Sequence, residues 1–416
     1  MVDADTRRLA VRYAPLGVLS GIWFLARFVR ALLPPLFPEF QATFGVGNAE
    51  TGLIYSSLLG AYALMQFPSG AVADRIWRTK VITAGTAVAG VAALGIAVAP
   101  SFPFLLLAAA LFGFGTGTHK TVALTLIGEI YPDRQGGAIG AMGTIGLAGS
   151  GLAPLVIVVL GTVGFEWWAA FALSAALAVA LAAANRSIVG RAAGERGEGT
   201  AAEGAEATAD GGGLRDGPGA RAYLEAFRRP RFAAFVLVSV LFVVTWTGVA
   251  AFLPLYLIEV KGFASNPANL LYGAMYGAAL VQVGTGGLAD RVGEIPVLVG
   301  GSLGMVLGLA ALVALGGLPA IVVAGIVFAV AINAARPARE SYLVRTIPDE
   351  VGGGTLGLVR TAMIGSGAVV SAALGVVADV AGLGTAFVGL VGVTVVTAAL
   401  MLLVAVMERR AGERAA

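Results

Sequence analysis

The sequence predicts an all-α membrane protein: twelve transmembrane helices in two parallel-repeat six-helix bundles, with both termini cytoplasmic. Three observations predict it. Of 416 residues, 58% are hydrophobic and 12% charged, and the mean hydropathy of +0.89 lies far outside the range of soluble domains. A dozen apolar stretches of about 20 residues, the length that crosses a bilayer at 1.5 Å per residue, alternate with short polar breaks. Finally, the second half of the chain repeats the first at a fixed offset.

The spans read at 14–37, 49–73, 81–99, 103–131, 137–161, 164–185, 232–258, 268–289, 295–315, 318–344, 354–380 and 382–407. The first is too long for a removable signal peptide and lacks its small-residue cleavage site. When loops are assigned to alternate sides, Arg75, Arg78, Lys80, Arg134, Arg291, Arg345 and both basic termini share one side, whereas the other receives Lys261. Lys and Arg favour the cytoplasm, which sets the orientation. Gly-rich spacings such as Gly113-xxx-Gly117 and Gly300-xxx-Gly304-xxx-Gly308 suit close helix approach in lipid.

The halves are separated by 186–231, rich in Gly, Ala, Glu and Arg and nearly devoid of large apolar residues until YLEAFRRPRF. Such composition cannot bury a core and is expected to form a flexible cytoplasmic linker between an N-terminal bundle, 1–185, and a C-terminal bundle, 232–416. Adding 216 to a residue number carries Pro38 to Pro254, Gln66 to Gln282, Asp74-Arg75 to Asp290-Arg291, Pro132-Asp133 to Pro348-Asp349, and Gly149-Ser150-Gly151 to Gly365-Ser366-Gly367. Six helices per repeat is an even number, so both repeats have the same orientation. Parallel repeats of this kind build transporters whose site lies at the membrane midplane.

The segment GAVADRIWRTK after span two resembles the loop signature of the major facilitator superfamily, departing from it at Trp77, where Gly is usual; a degenerate copy, GGLADRVGEI, follows span eight. The resemblance covers the whole chain in span count, linker position and repeat. It implies alternating access, with spans one, four, seven and ten lining a central cavity, and it places Asp74 against the start of span eleven, where a helix N-terminus favours an anion. The offset also maps Arg78 to Glu294 and Glu129 to Arg345, so charges exchange between halves. Pairs Arg78–Glu129 and Glu294–Arg345 are expected at the cytoplasmic ends, with Asp74, Arg75, Asp290, Arg291 and Arg360 in the same gate region. Arg360 is expected to partner Asp74 or cytoplasmic water.

Charges inside the spans carry the functional reading. Arg27 lies about 20 Å along the first span and Arg30 one turn beyond. A central Arg costs roughly 2.5–3.5 kcal/mol on insertion scales, so such residues normally face a wet path. Lys120 lies in span four; Arg336, Arg339 and Glu340 lie in span ten; and Lys120 maps to Arg336, so these two cations are expected to face each other across the pseudo-twofold axis. Five cations against one carboxylate predict a small anionic substrate, with Arg27 and Arg336 as preferred clamps and Lys120 as a point charge. Arg30 has the alternative of tilting toward Glu39, and Arg339 and Arg336 that of being neutralised by Glu340, an i to i+4 neighbour of Arg336. Asn333, Tyr62, Trp246 and Tyr276 are candidate pocket residues. Glu340 and His119, the chain's one histidine, are the candidates for proton coupling. A helix-one arginine also resembles the anion-handling branches of the superfamily.

The expectation is a secondary transporter of a small organic or inorganic anion, by antiport or proton symport, monomeric and multi-pass in the plasma membrane. The alternative is a proton-coupled exporter of drugs or metabolites. With no Cys, one His and no phosphate-cradling lysine loop, the sequence offers no enzyme, no ATP-driven pump, no metal and no cofactor. Its basic residues follow topology, not nucleic acid.

Overall fold

A computed structural model describes residues 2–194, 227–347 and 352–415. The chain divides into two compact units, Met1–Val46 with Ser57–Gly213, and Gly47–Ser56 with Leu214–Ala416. The described residues are helical with no strand.

The first unit contains α1 (Val2–Leu32), α2 (Phe37–Phe44), most of α3 (Asn48–Arg75), α4 (Arg78–Ala97), α5 (Phe102–Gly117), α6 (His119–Ile130), α7 (Gln135–Thr162), α8 (Trp168–Ala184) and α9 (Gly190–Gly194). Leu33 and a 3₁₀ turn at Pro34–Leu36 join α1 to α2. Proline supplies no N–H, so the α-helical ladder cannot run through Pro34-Pro35 unbroken. The second unit holds α10 (Pro230–Glu259), α11 (Ser265–Gly277), α12 (Gln282–Val292), α13 (Glu294–Ala314) and α14 (Leu318–Thr346). A helical run then extends from Gly352 to Ala415, broken at Gly382, whose φ of 86° lies in the region that glycine enters without steric cost. The break separates α15 (Thr355–Ala381) from α16 (Leu383–Arg410).

Among the described residues, ten helices are long and apolar enough to cross a membrane, against the twelve expected. The remaining two expected spans, the second and eighth, are helical but less apolar or interrupted. α3 carries Glu50, Gln66, Asp74 and Arg75, and the eighth is divided by a 3₁₀ segment, Ala278–Val281, into α11 and α12.

Packing repeats along with the sequence. In the first unit α1 packs on α7, and α4 on α5 and α8; in the second α10 packs on the Gly352–Ala415 run, and α13 on α14 and that same run. The glycines mark the closest approaches. A Cβ on Gly113 would strike the Leu58 carbonyl of α3, and one on Gly308 would strike the backbone of Phe328. The turn that departs from the family signature needs no glycine: Trp77 has φ −59° and caps α4, with Lys80 Nζ 5.6 Å from its ring. At the repeat position Gly293 takes φ 89°. The two halves therefore make the same connection with different backbones.

Two boundaries differ from expectation. The linker does not begin at 186: Asn185–Val189 forms a π-helical turn that continues into α9. The buried Asn185 amide holds this turn, donating to the Thr79 carbonyl at 3.0 Å and to Thr83 Oγ1 at 2.9 Å. Residues 195–226 of the expected linker, and the Pro348-Asp349 repeat, lie outside the described residues. The first nine residues of α3, moreover, belong to the second unit although they precede the linker. Asp379 of α15 accepts from the Asn48 and Ala49 backbone N–H groups, both at 2.8 Å, and so satisfies two of the donors that a helix start leaves open. Gly52 and Gly375 allow backbones to touch there, Gly52 facing the Ser371 carbonyl and Gly375 the Asn48 carbonyl. Lys261 Nζ donates to the Val313 and Leu315 carbonyls at the end of α13, 2.8 Å each, and burial holds its ammonium below the ordinary lysine value.

Asp379→Ala removes both acceptors at the start of α3. Loss of such a cap costs about 1 kcal/mol, so the purified protein should unfold a few degrees lower by intrinsic fluorescence, with Asp379→Asn falling between the two. An unchanged midpoint for both variants would show that the cap carries no stability.

Candidate functional site: cations on aromatic faces

α1 and α7 run side by side in the first unit, and their contact sets the cations of α1. Gly146 of α7 lies against the Trp23 ring and Gly149 against the Phe24 carbonyl, so a side chain at either position would collide. Four residues after Gly146, and so on the same helix face, Ser150 is 2% exposed and its hydroxyl accepts from Arg27 Nε at 3.0 Å.

Trp23 is the centre of a second group. His119 stacks on it, ring centroids 6.2 Å apart, and Lys120 Nζ stands 5.6 Å from the indole centroid. Both side chains follow the break at Thr118 that separates α5 from α6, a break stabilised by the Thr118 hydroxyl donating to the Gly115 carbonyl at 2.8 Å. His119 is 1% exposed, with the Leu19 backbone beside it. Lys120 is exposed.

One turn beyond Arg27, the Arg30 guanidinium lies over the Tyr62 ring at 4.4 Å. A cation on an aromatic face gains about 0.5–2 kcal/mol, and it does so without a hydrogen bond. Arg30 Nε and Nη2 are buried with no hydrogen-bond partner among the described residues. These two nitrogens form the side edge of the guanidinium, the pair of parallel donors that grips a carboxylate or phosphate at two points.

In the second unit Arg336 lies 6.0 Å from the Trp246 ring, which meets Tyr276 edge-on at 5.5 Å; the Tyr276 and Tyr272 hydroxyls are 3.2 Å apart. Asn333 is 1% exposed, accepts from Gln282 Nε2 at 3.2 Å, and donates to the Ala329 carbonyl at 2.8 Å. Arg339 is the cation that Glu340 neutralises, Nη2 to Oε1 at 2.7 Å, and it also lies over Phe242. Arg360 is exposed, and its Nη2 stands 3.7 Å from Glu340. Neighbouring side chains on α14 and one on α15 converge there, so Glu340 joins two arginines.

The expected charge pairs at the helix ends are present as contacts. Arg78 Nη1 is 2.7 Å from Glu129, with Asp74 at 3.7 Å from Nη2; Arg345 Nη2 is 2.7 Å from Glu294, which also accepts from the Ser341 hydroxyl. Arg75, Asp290 and Arg291 are exposed. Sequence reasoning missed Trp23 as the support of Lys120 and His119, and Ser150 as the partner of Arg27. For Ser150 a signal existed in the repeated Gly-Ser-Gly. For Trp23 none did, since an aromatic in a membrane helix is usually packing. No cluster of three or more His, Cys, Asp or Glu able to hold a metal occurs among the described residues.

Known proteins agree with this architecture. The chain is 28% identical to human protein spinster homolog 1 over 130 residues, 31% of this chain and 24% of the relative. It is 26% identical to the probable sulfoacetate transporter SauU of Cupriavidus necator over 155 residues, 37% of this chain and 36% of the relative. The aligned stretches thus span about a quarter and about a third of these relatives. The crystal structure of a bacterial homolog of the human lysosomal transporter Spinster, inward-facing and unoccupied, superposes with a TM-score of 0.74 at 18% identity, over 95% of this chain and 97% of that one. At that identity the likeness shows the fold alone. The sequence profile of the Major Facilitator Superfamily matches residues 19–284. The chain belongs to that superfamily: it is a multi-pass membrane transporter and not an enzyme.

Proposed function

We propose that the protein is a secondary transporter of a small organic or inorganic anion, located in the cell membrane with both termini cytoplasmic. The observation that carries this reading is the Arg30 side edge, two buried N–H donors with no hydrogen-bond acceptor among the described residues, on a guanidinium that lies over an aromatic face. Burying a charge without hydrogen bonds is costly. A substrate with two oxygens on one centre, such as a carboxylate, sulfonate or phosphate, removes that cost as it binds. Arg27, Lys120 and Arg336 add positive charge, each held by a hydroxyl or an aromatic ring. The sulfoacetate of the Cupriavidus relative's name is an anion of this kind. Glu340 is already engaged by Arg339 and Arg360, and this favours exchange of anions over proton symport.

A thermal-stability screen of the purified protein against carboxylates, sulfonates, phosphates and cationic drugs tests the reading. Anions should raise the midpoint, and Arg30→Ala should weaken their apparent affinity by about 10- to 100-fold, the range expected for losing a charge-assisted bidentate contact. Stabilisation by cationic drugs alone would overturn it in favour of an exporter.

The pairs Arg78–Glu129 and Glu294–Arg345 are proposed as gate contacts that form and break during the cycle. Exposed pairs alone are worth only about 0–1 kcal/mol, so the test is transport and not stability. Arg78→Glu should slow uptake severalfold in proteoliposomes, and the swap Arg78→Glu with Glu129→Arg should recover part of the loss. A double variant no faster than the single one would remove the pair from the gate.

A further inference from the structure

We propose that the groove between α13 and α14 holds one acyl chain of a membrane phospholipid, whose headgroup phosphate is taken by Lys261. Small residues set between large ones build the groove. On α13 Gly308 and Ala311 are three apart, and on α14 Ala320 and Ala324 are four apart, so each pair shares one helix face. Leu307 and Val323 stand exposed beside them. At one end the helices touch, since a Cβ on Gly308 would strike the Phe328 backbone. At the other, residues 315–317 carry the chain from α13 to α14. Between these ends lies a groove of about 610 Å³, running from Leu307 to Leu315 on one helix and from Pro319 to Val327 on the other, with no polar side chain in its lining. Eight residues of helical rise make it about 12 Å long, which stays within one leaflet of a hydrocarbon core about 30 Å thick.

Lys261 supplies an independent observation. Its ammonium donates to the Val313 and Leu315 carbonyls, 2.8 Å each, and Leu315 lines the end of the groove. Those two bonds hold Nζ beside the groove mouth, where the apolar span of α13 has ended and that of α14 is about to begin. An ammonium has three N–H donors. The third has no acceptor among the described residues, and Lys261 makes no ion pair with any of them. A phospholipid matches both halves of this arrangement: its phosphate meets a fixed cation at the water boundary, and its chain runs from there along an apolar channel. A water-soluble anion would use the ammonium and leave the groove, whereas a helix of a second copy would cover the groove and bring no phosphate.

The full-length protein, delipidated in mild detergent, is titrated with dioleoyl phosphatidylglycerol and read by native mass spectrometry. Wild type and Lys261→Arg should take up one lipid. Lys261→Gln should raise the apparent Kd about tenfold, the scale of a lost hydrogen bond to a charged group. Ala320→Phe, which fills the groove, should weaken binding at least as much, and Val323→Trp on the exposed rim serves if that variant does not fold. Val388→Phe, at an exposed position of α16, should bind as wild type does. Dioleoylglycerol, which lacks the phosphate, should bind wild type about tenfold more weakly. An unchanged Kd in Lys261→Gln or in the folded groove variants, equal binding of dioleoylglycerol, or a dimer mass in place of the lipid adduct overturns the proposal.

Discussion

The structure depends on how permanent cations are kept in an apolar setting. A guanidinium or ammonium inside a membrane helix needs support from neighbours that do not cancel its charge, and aromatic faces and hydroxyls meet that need. Arg30 rests on Tyr62, Lys120 stands over Trp23, Arg336 lies over Trp246, and Arg27 gives its Nε proton to Ser150. Glu340 in turn gathers Arg339 and Arg360.

This support has structural consequences that reach beyond the cations. Trp23 meets His119 and Lys120 and also Gly146 of α7, where a side chain would collide with its ring. Lys120 and His119 reach it because the helix is interrupted at Thr118. Close packing through small residues, which in lipid holds helices together without a hydrophobic driving force, here also fixes the orientation of polar groups. Carboxylates act at helix ends instead. Asp379 caps α3, and Glu129, Glu294 and Glu408 bind Arg78, Arg345 and Arg231.

Much of this was legible in the residues. The 216-residue offset predicted a repeated packing scheme, and the exchange of Arg78 and Glu129 for Glu294 and Arg345 predicted two ion pairs, since only complementary charges survive such a swap as contacts. The illegible parts depend on tertiary partners distant in sequence. Nothing in NAETGLIYS announces that the start of α3 belongs with the second unit, because the Asp379 that caps it lies more than 300 residues away. The polar composition after Asn185 reads as linker, yet the Asn185 amide anchors a further turn that runs into a short helix. Arg27 looked the stronger clamp by depth alone; the geometry gives its Nε to Ser150 and leaves the side edge of Arg30 without a hydrogen bond. Depth along a helix follows from counting residues, but the edge a guanidinium offers does not.

The central claim is that a fork, and not merely a charge, awaits the substrate at Arg30. Lysine keeps the charge and discards the fork, so Arg30→Lys separates the two. In proteoliposomes loaded with unlabelled sulfate or a small sulfonate, wild-type protein should take up the labelled anion in exchange, and Arg30→Lys should lose most of that uptake while remaining folded by its thermal midpoint. Uptake by Arg30→Lys at the wild-type rate would contradict the account.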